Sequence, residues 1–193
     1  LKEVKLWSER GGMPGIFAIR DESVRESVFE EWIETTCARD LAHFGISRFN
    51  PDLARRILVA IARAEIPNRP AIAKAVGKTP RQIESYLQGF KSLFTIYEIE
   101  PHRTSVGKPL FYIFDSGIAK ILGASSSRCL QSWFLNECYS QFAYSGKPRP
   151  DVFHYETTRG SRLDFIVETR DSVCAYKVFE KESLSTYDHR ALF

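Results

Sequence analysis

The sequence predicts an α+β protein built, in chain order, from a helical connector, a winged helix-turn-helix, and a small mixed sheet with flanking helices. Capped segments with apolar residues at helical spacing, between positions 51 and 94, predict the helices. Two β-rich runs directly after them, Thr95 to Glu100 and Pro109 to Phe114, predict a two-stranded wing. Alternating character from Arg162 to Glu168 predicts a half-buried strand of the last part.

Charge is unevenly distributed along the 193 residues, although the net charge is only +3. Residues 1–50 hold 7 Lys/Arg and 9 Asp/Glu, whereas residues 51–110 hold 10 and 5, a net of +5. A basic middle segment is where a nucleic-acid contact is sought first, because phosphates attract clustered Lys and Arg. A solvated basic face with no polyanionic partner is the alternative.

The cysteines exclude a zinc knuckle, because Cys37, Cys129, Cys138 and Cys174 form no C-x-x-C pair. We expect them to be buried, reduced thiols of a cytoplasmic protein. No apolar run approaches the roughly 20 residues that span a bilayer, and no signal peptide is visible, so no membrane partner is expected. The first residue is not Met, and Phe193 falls within a pattern, so we expect a fragment of a longer chain.

The connector begins with a break at Gly11 to Gly15 and continues in a helical stretch from Asp21 to Phe44. Val24, Val28 and Trp32 lie at helical spacing and predict its apolar stripe. Gly123 to Ser127 is rich in small residues and predicts a linker. The predicted domains are therefore residues 1–50, 51–123 and 124–193, the last truncated at its C-terminus.

The helix that begins at Thr79 has a capping box, with Thr79 at the N-cap, Pro80 at the first helical position and Gln82 at the third. Its apolar stripe is predicted to comprise Ile83, Tyr86, Leu87, Phe90 and Leu93-Phe94. Arg and Gln pair with base edges and phosphates, so the polar side chains of this helix, with its start and the wing, predict a nucleic-acid interface. The candidates are Lys78, Arg81, Gln82, Ser85, Gln88, Lys91, Arg103 and Lys108. A protein-interaction or spacer module is the alternative.

Five motifs in order resemble the C-terminal region of a large prokaryotic family of AAA-type ATPases, whose tail is a domain of unknown function. They are Gly11-Gly12-Met13-Pro14, Arg39-Asp40-Leu41, the series Lys108, Tyr112, Asp115 and Gly117, then Asn136-Glu137-Cys138, and finally Gly160 to Phe165 with Ala175-Tyr176-Lys177. The resemblance implies a tail similar to the PD-(D/E)XK nuclease fold. It also implies that ATP binds only upstream, since no phosphate-binding loop occurs in these residues.

The same resemblance implies a remnant nuclease site with Glu137, Asp164 and Lys177 as its candidates. Such a site needs two carboxylates for Mg²⁺ and a lysine for water. The second carboxylate position falls on Ala175, which cannot bind a metal. Glu156, Glu168 or Glu180 could substitute, and His154 is predicted near the site.

Together these observations predict a non-catalytic tail of an ATPase that binds double-stranded DNA or a partner, including its own ATPase domain, and needs no cofactor. One alternative is a Mg²⁺-dependent nuclease with a displaced carboxylate, with Asp164 as a metal ligand. The other is a protein-interaction module. If Asp164 has no acidic neighbour, we expect it to pair with Lys177.

Overall fold

A computed structural model describes residues 2–180. It shows an α+β fold in which seven α-helices accompany a five-stranded mixed sheet of order β2-β1-β3-β4-β5. The helices are α1 (Lys2–Arg10), α2 (Glu22–Thr35), α3 (Pro51–Arg63), α4 (Arg69–Ala75), α5 (Pro80–Ser92), α6 (Ser116–Ile121) and α7 (Ser126–Tyr144). The strands are β1 (Ile96–Pro101), β2 (Leu110–Ile113), β3 (Asp151–Glu156), β4 (Arg162–Glu168) and β5 (Val173–Tyr176). No helix among residues 2–180 is long and apolar enough to cross a membrane.

Local sequence signals position the helices of the middle segment. Asn50 caps α3 by accepting a hydrogen bond from the Leu53 amide at 2.9 Å, and Asn68 caps α4 in the same way. The capping box of α5 forms as predicted, because Thr79 and Gln82 each accept a hydrogen bond from the backbone N–H of the other. These helices are followed by the predicted antiparallel hairpin, in which Ile96 pairs with Ile113.

The β1–β2 hairpin is shared by two hydrophobic cores. On one face Ile96 and Ile113 pack with the helices of the first core. On the other face Ile99 and Tyr112 pack against Phe165 of β4 in the second core. Side chains alternate between the faces of a strand, so one hairpin can close both cores.

The sheet runs without interruption from the hairpin into the C-terminal strands. Glu100 and Pro101 of β1 pair in parallel with Phe153 and His154 of β3, and β3 continues antiparallel to β4. β1 is therefore paired with β2 on one side and with β3 on the other, and strands from before and after residue 123 belong to one sheet.

The segment Gly123 to Ser127 is a tight corner between helices, which corrects the prediction of a linker. Gly123 has a positive φ of 86°, and the Ala124 amide donates to Ala119 at the end of α6. Ser125 then caps α7 by accepting from the Arg128 amide at 3.3 Å. Ala124 also packs against the first core. The small residues of this segment allow the end of α6 and the start of α7 to pack closely together.

The apolar stripe predicted for α2 is confirmed in part, because Val28 and Trp32 are half-buried against the first core. Val24 is exposed, whereas Arg25, Phe29 and Ile33 are buried. Phe29 occupies the space beside Gly117, where an added Cβ would lie 2.6 Å from its ring. The core-facing side of α2 thus includes residues of two adjacent stripes with the same helical period, and the stripe of Phe29 and Ile33 is the more deeply buried.

Two of the four cysteines depart from the expectation of burial. Cys37 and Cys129 are buried, and burial raises the pKa of Cys37 to about 12 and that of Cys129 to about 11. Cys138 is half-buried and Cys174 is exposed on β5, the last strand of the described sheet. All four residues of β5 are exposed, so neither face of this strand is buried and Cys174 is exposed with its neighbours.

The Asp115 carboxylate joins the connector to the start of α6. It is 1% exposed and accepts hydrogen bonds from the amides of Gly12 at 2.7 Å, Gly117 at 2.8 Å and Ile118 at 3.1 Å. Gly11 has a positive φ of 75°, and an added Cβ there would lie 2.2 Å from the carboxylate. Burial raises the pKa of Asp115, and the amide hydrogen bonds partly oppose that shift. Two motifs about a hundred residues apart thus form one contact.

Replacing Asp115 with Ala should destabilise the protein by about 3 kcal/mol, because three amides lose a buried acceptor and α6 loses its cap. Urea denaturation of the two proteins measures the difference in the free energy of unfolding. Asp21→Ala is the matched control, since Asp21 caps α2 in an exposed position. The Asp21 variant should lose clearly less stability, and equal losses would contradict the role assigned to Asp115.

Candidate functional site

The predicted interface residues lie in three different settings. Lys78, Arg81 and Ser85 are exposed at the start and on the outer face of α5, and Lys78 and Arg81 have no acidic partner within residues 2–180. Gln82 and Gln88 are exposed but engaged, Gln82 in the capping box and Gln88 with Glu84 at 2.9 Å. The first half of α5 therefore presents the accessible part of the predicted surface.

Lys91 lies outside that accessible part, because it forms an ion pair with Glu98 of β1. Arg69 of α4 also contacts Glu98 at 3.2 Å and reaches Glu84 at 2.8 Å. These bridges tie α4 and α5 to the hairpin. Because Glu98 offsets the charge of Lys91, this lysine is less available to bind a phosphate.

The wing between β1 and β2 is anchored to the C-terminal strands. The Val106 amide donates to the Glu156 carbonyl at 3.1 Å, and the Glu156 amide donates to the Ser105 hydroxyl at 2.9 Å. His154 contacts the Lys108 carbonyl through Nε2 at 2.9 Å, and its ring fills the space above Gly107. Burial lowers the pKa of His154, and Nε2 is the donor in this contact because a carbonyl oxygen can only accept.

Two basic side chains project from this anchored wing. Arg103 is exposed and lies 3.6 Å from Glu168 of β4, which also contacts His102 at 3.0 Å. Lys108 is exposed and has no acidic partner in the part of the chain that the structure describes. The wing thus offers Lys108 fully and Arg103 in part.

The predicted remnant site lies beside a polar cavity of about 480 Å³. As expected, Lys177 pairs with Asp164, at 3.2 Å. The second carboxylate oxygen accepts from the Val178 amide at 2.8 Å, and Gln131 of α7 donates to the first at 3.1 Å. Both oxygens of Asp164 are therefore engaged by protein donors.

The other acidic candidates have partners of their own, and of them only Glu156 lines the same cavity as Asp164 within residues 2–180. Glu156 pairs with Arg162 at 2.7 Å, and Glu168 contacts His102 and Arg103. Glu180 lies 4.0 Å from Lys5, and Glu137 accepts from Gln141 on α7 at 3.4 Å. Within residues 2–180 no group of three or more His, Cys, Asp and Glu side chains could hold a metal ion together.

These contacts do not fit a magnesium site. Mg²⁺ is bound by carboxylate oxygens and water, whereas Asp164 faces Lys177 and two N–H donors. Ala175, which occupies the second ligand position of the resembled motif, pairs with Ile166 of β4 and offers only a methyl group. The arrangement is that of a half-buried ion pair that joins β4, α7 and the residue after β5.

Sequence reasoning missed the basic side of this cavity. Arg128 is 7% exposed, its guanidinium lies 4.4 Å from the centre of the Tyr112 ring, and it donates to the Phe111 carbonyl at 3.1 Å. It also donates to Gln131 at 3.0 Å, which links it through that amide to Asp164. Arg128 follows a Ser-rich segment with no charge pattern, so its sequence carried no signal of burial.

The fold and this site define an α+β protein whose middle helices, hairpin and C-terminal strands are joined by buried polar contacts. A family model described as a domain of unknown function (DUF8612) matches residues 1–128, and the chain belongs to that family. The match extends from α1 into the first turn of α7 and leaves β3, β4 and β5 outside it. No curated protein and no solved structure matches the chain.

Replacing Asp164 with Ala should lower the free energy of unfolding by about 2 kcal/mol, because Lys177, Gln131 and the Val178 amide lose a common acceptor. Thermal and urea denaturation measure the effect. Glu137→Ala removes a carboxylate from the exposed part of α7 and should change stability by no more than about 0.5 kcal/mol. An Asp164 variant as stable as the parent would contradict a structural role for this pair.

The purified chain should not cleave linear, circular or single-stranded DNA in the presence of Mg²⁺ or Mn²⁺. Ala175→Glu adds a carboxylate to the β5 face that also carries Lys177, so it should create detectable Mn²⁺ binding in calorimetry. The parent chain in the same titration is the control. Metal-dependent cleavage by the parent that disappears in Asp164→Ala would refute the prediction.

Proposed function

We propose that this chain is the non-catalytic, DNA-binding C-terminal part of an AAA-type ATPase, with a winged helix that contacts the duplex and a degenerate nuclease-like tail. The observation that carries the proposal is the outer face of α5, where five polar side chains of a capped helix are exposed together: Lys78, Arg81, Gln82, Ser85 and Gln88. A helix of this kind after a tight glycine turn suits insertion into a major groove.

The exposure of this face favours DNA over a spacer role. A helix used only to pack against a neighbouring domain would present apolar residues outward, whereas the apolar residues of α5 face the core. Ile83, Leu87 and Phe90 are fully buried. The charge pattern agrees, because Lys78 and Arg81 lie at the N-terminal end of α5, where the amides also favour phosphate.

The anchored wing defines how the duplex would be approached. Since the loop that carries Arg103 and Lys108 is bonded to β3, its position relative to α5 is fixed by the sheet. Lys108 can contribute a phosphate contact, while Glu168 competes for Arg103. We therefore expect Lys78 and Arg81 to contribute most to DNA binding, and Arg103 and Lys91 to contribute less.

The part played by the ATPase is supported by the contact at Asp115. The Gly11-Gly12-Met13-Pro14 motif of the resembled family follows the ATPase core, and here the Gly12 amide donates to Asp115 just beyond β2. Movement upstream of residue 11 would act on the end of the hairpin through this short, part-buried hydrogen bond. The proposal thus includes mechanical coupling between an ATPase and the DNA-binding helices.

The double variant Lys78→Ala/Arg81→Ala should weaken binding of a fluorescein-labelled duplex about tenfold or more at low salt. Each lost phosphate contact should also reduce the slope of log affinity against log salt by about one. Fluorescence anisotropy at several salt concentrations measures both quantities. Arg39→Ala is the control for loss of a basic side chain outside α5 and the wing, since Arg39 pairs with its neighbour Asp40 in the connector.

The duplex assay also separates the proposal from its rivals. The Arg39 variant should bind like the parent, and the double variant should retain the parent's melting temperature because both side chains are exposed. Duplex binding that is equal in the parent and the double variant would rule out α5 as the interface.

A further inference from the structure

Within residues 2–180, four helices end in the same backbone motif, and one of them has an unexpected residue in it. In each, the second residue after the helix has a positive φ, and its amide and the next amide donate hydrogen bonds to the last turn. Gly77, Gly123 and Gly146 occupy this position after α4, α6 and α7. After α5 the position is Phe94, with φ 55°, while the amides of Phe94 and Thr95 donate to Lys91 and Phe90.

Packing does not explain a phenylalanine at this position. The left-handed conformation is unfavourable for a residue with a Cβ, and bulky side chains rarely adopt it. The Phe94 side chain is 73% exposed, so its ring recovers little by burial, and it stacks on no ring among residues 2–180. The sequence had predicted Phe94 within the buried stripe of α5, and that prediction is wrong because the helix ends at Ser92. Strain at an exposed aromatic residue is a reason to look for a ligand.

Phe94 forms one wall of a groove of about 250 Å³, which we call the aromatic groove. Its lining consists of Phe94, Tyr97, Tyr139, Ala143, Lys147 and Arg149. Three aromatic rings and two cations therefore meet there, and the lining has no acidic residue. The groove is built by the end of α5, the start of β1, the last turns of α7 and the loop that follows α7.

The groove is ordered by contacts between its own side chains. The Tyr97 and Tyr139 rings lie 5.2 Å apart between centres, and the Arg149 guanidinium lies 4.0 Å from the centre of the Tyr139 ring. Tyr97 also donates through its hydroxyl to Asn136 at 3.2 Å. Arg149 is exposed although it stacks on Tyr139, so its N–H groups can still meet a ligand.

We propose that the aromatic groove binds unpaired bases of single-stranded nucleic acid. Phe94 stacks on a base, and Lys147 and Arg149 contact the adjoining phosphates. Exposed rings beside Lys and Arg are the means by which proteins hold single strands without reading sequence. Glu98, Glu100 and Asp151 line a neighbouring groove that shares Tyr139 and Arg149, and none of these acids lines the aromatic groove, to which Phe94 belongs. Charge on the Phe94 side is therefore complementary to a phosphate backbone.

The aromatic groove is distinct from the proposed duplex interface. Lys78 and Arg81 lie at the N-terminal end of α5, and Phe94 follows its C-terminal end, about 20 Å away for a helix of this length. A nucleic acid with paired and unpaired segments could engage both ends of one helix. The groove nevertheless stands on its own observations, and its test does not depend on duplex binding.

The test uses the whole chain and three labelled probes in fluorescence anisotropy. The first is a deoxythymidine oligonucleotide of about ten nucleotides, a length within the usual site size of single-strand binding folds. The second is an abasic strand of the same length and charge, and the third is the thymidine strand paired with its complement. If bases stack in the groove, the thymidine strand should bind about tenfold more tightly than the abasic strand.

Phe94→Gly is the decisive variant, because glycine adopts a positive φ without strain. It should melt at the same temperature as the parent or higher, and it should lose about tenfold in affinity for the thymidine strand only. Affinity for the abasic strand should be unchanged, and Phe94→Tyr should restore thymidine binding. The matched control is Tyr176→Ala, which removes an exposed aromatic ring from β5, three strands from Tyr97, and should bind the thymidine strand like the parent.

Two results would overturn the proposal. One is a Phe94→Gly variant that folds and binds the thymidine strand like the parent. The other is a loss of affinity that is equal for the thymidine and abasic strands, which would assign the groove to charge alone or to a protein ligand. Duplex binding by Lys78→Ala/Arg81→Ala is a separate measurement. A negative result for one proposal therefore does not decide the other.

Discussion

The Asp115 carboxylate accepts three short backbone hydrogen bonds in a site from which water is excluded. A buried carboxylate is costly unless its oxygens are bonded, so the amides of Gly12, Gly117 and Ile118 must be in place together. This requirement fixes the connector against α6, and α6 follows directly from β2. Gly117 must also lack a side chain, because Arg10 and Phe29 fill the space around it. The middle helices are thereby held between the N-terminal connector and the sheet.

The hairpin transmits this constraint to the rest of the molecule. Because its two faces belong to two cores, a shift of β1 or β2 would disturb both. The wing loop is hydrogen-bonded to β3, and His154 contacts the Lys108 carbonyl, so these contacts hold the loop in one position relative to the sheet. A rigid wing lowers the entropy lost on binding, but it also limits the duplex geometries that α5 could accept.

Asp164 in the C-terminal strands and Phe94 after α5 are both unusual, and they have different physical explanations. Asp164 has satisfied partners on every side, which is typical of a group that stabilises the fold. Phe94 is the opposite case, since its backbone conformation costs on the order of 1 kcal/mol and its ring gains little burial. Stability alone explains Asp164 and leaves Phe94 unexplained, which is why the single-strand proposal rests on Phe94.

The sequence by itself determined the helices of the middle segment. Their N-terminal caps form between residues three positions apart, such as Thr79 and Gln82, so local sequence is enough to predict them. It also predicted the β1–β2 hairpin and the pairing of Lys177 with Asp164, since alternation along strands places their side chains on a shared face. Only the tertiary structure decided which residues of α2 are buried most deeply, that β1 joins β3, and that Phe94 points into solvent. These outcomes depend on contacts between segments far apart in the chain, where several local patterns are equally regular and packing energy selects one. The spacing of apolar residues places Phe94 in line with the buried stripe of α5. Because the helix ends at Ser92, however, the Phe94 ring does not lie on that buried face.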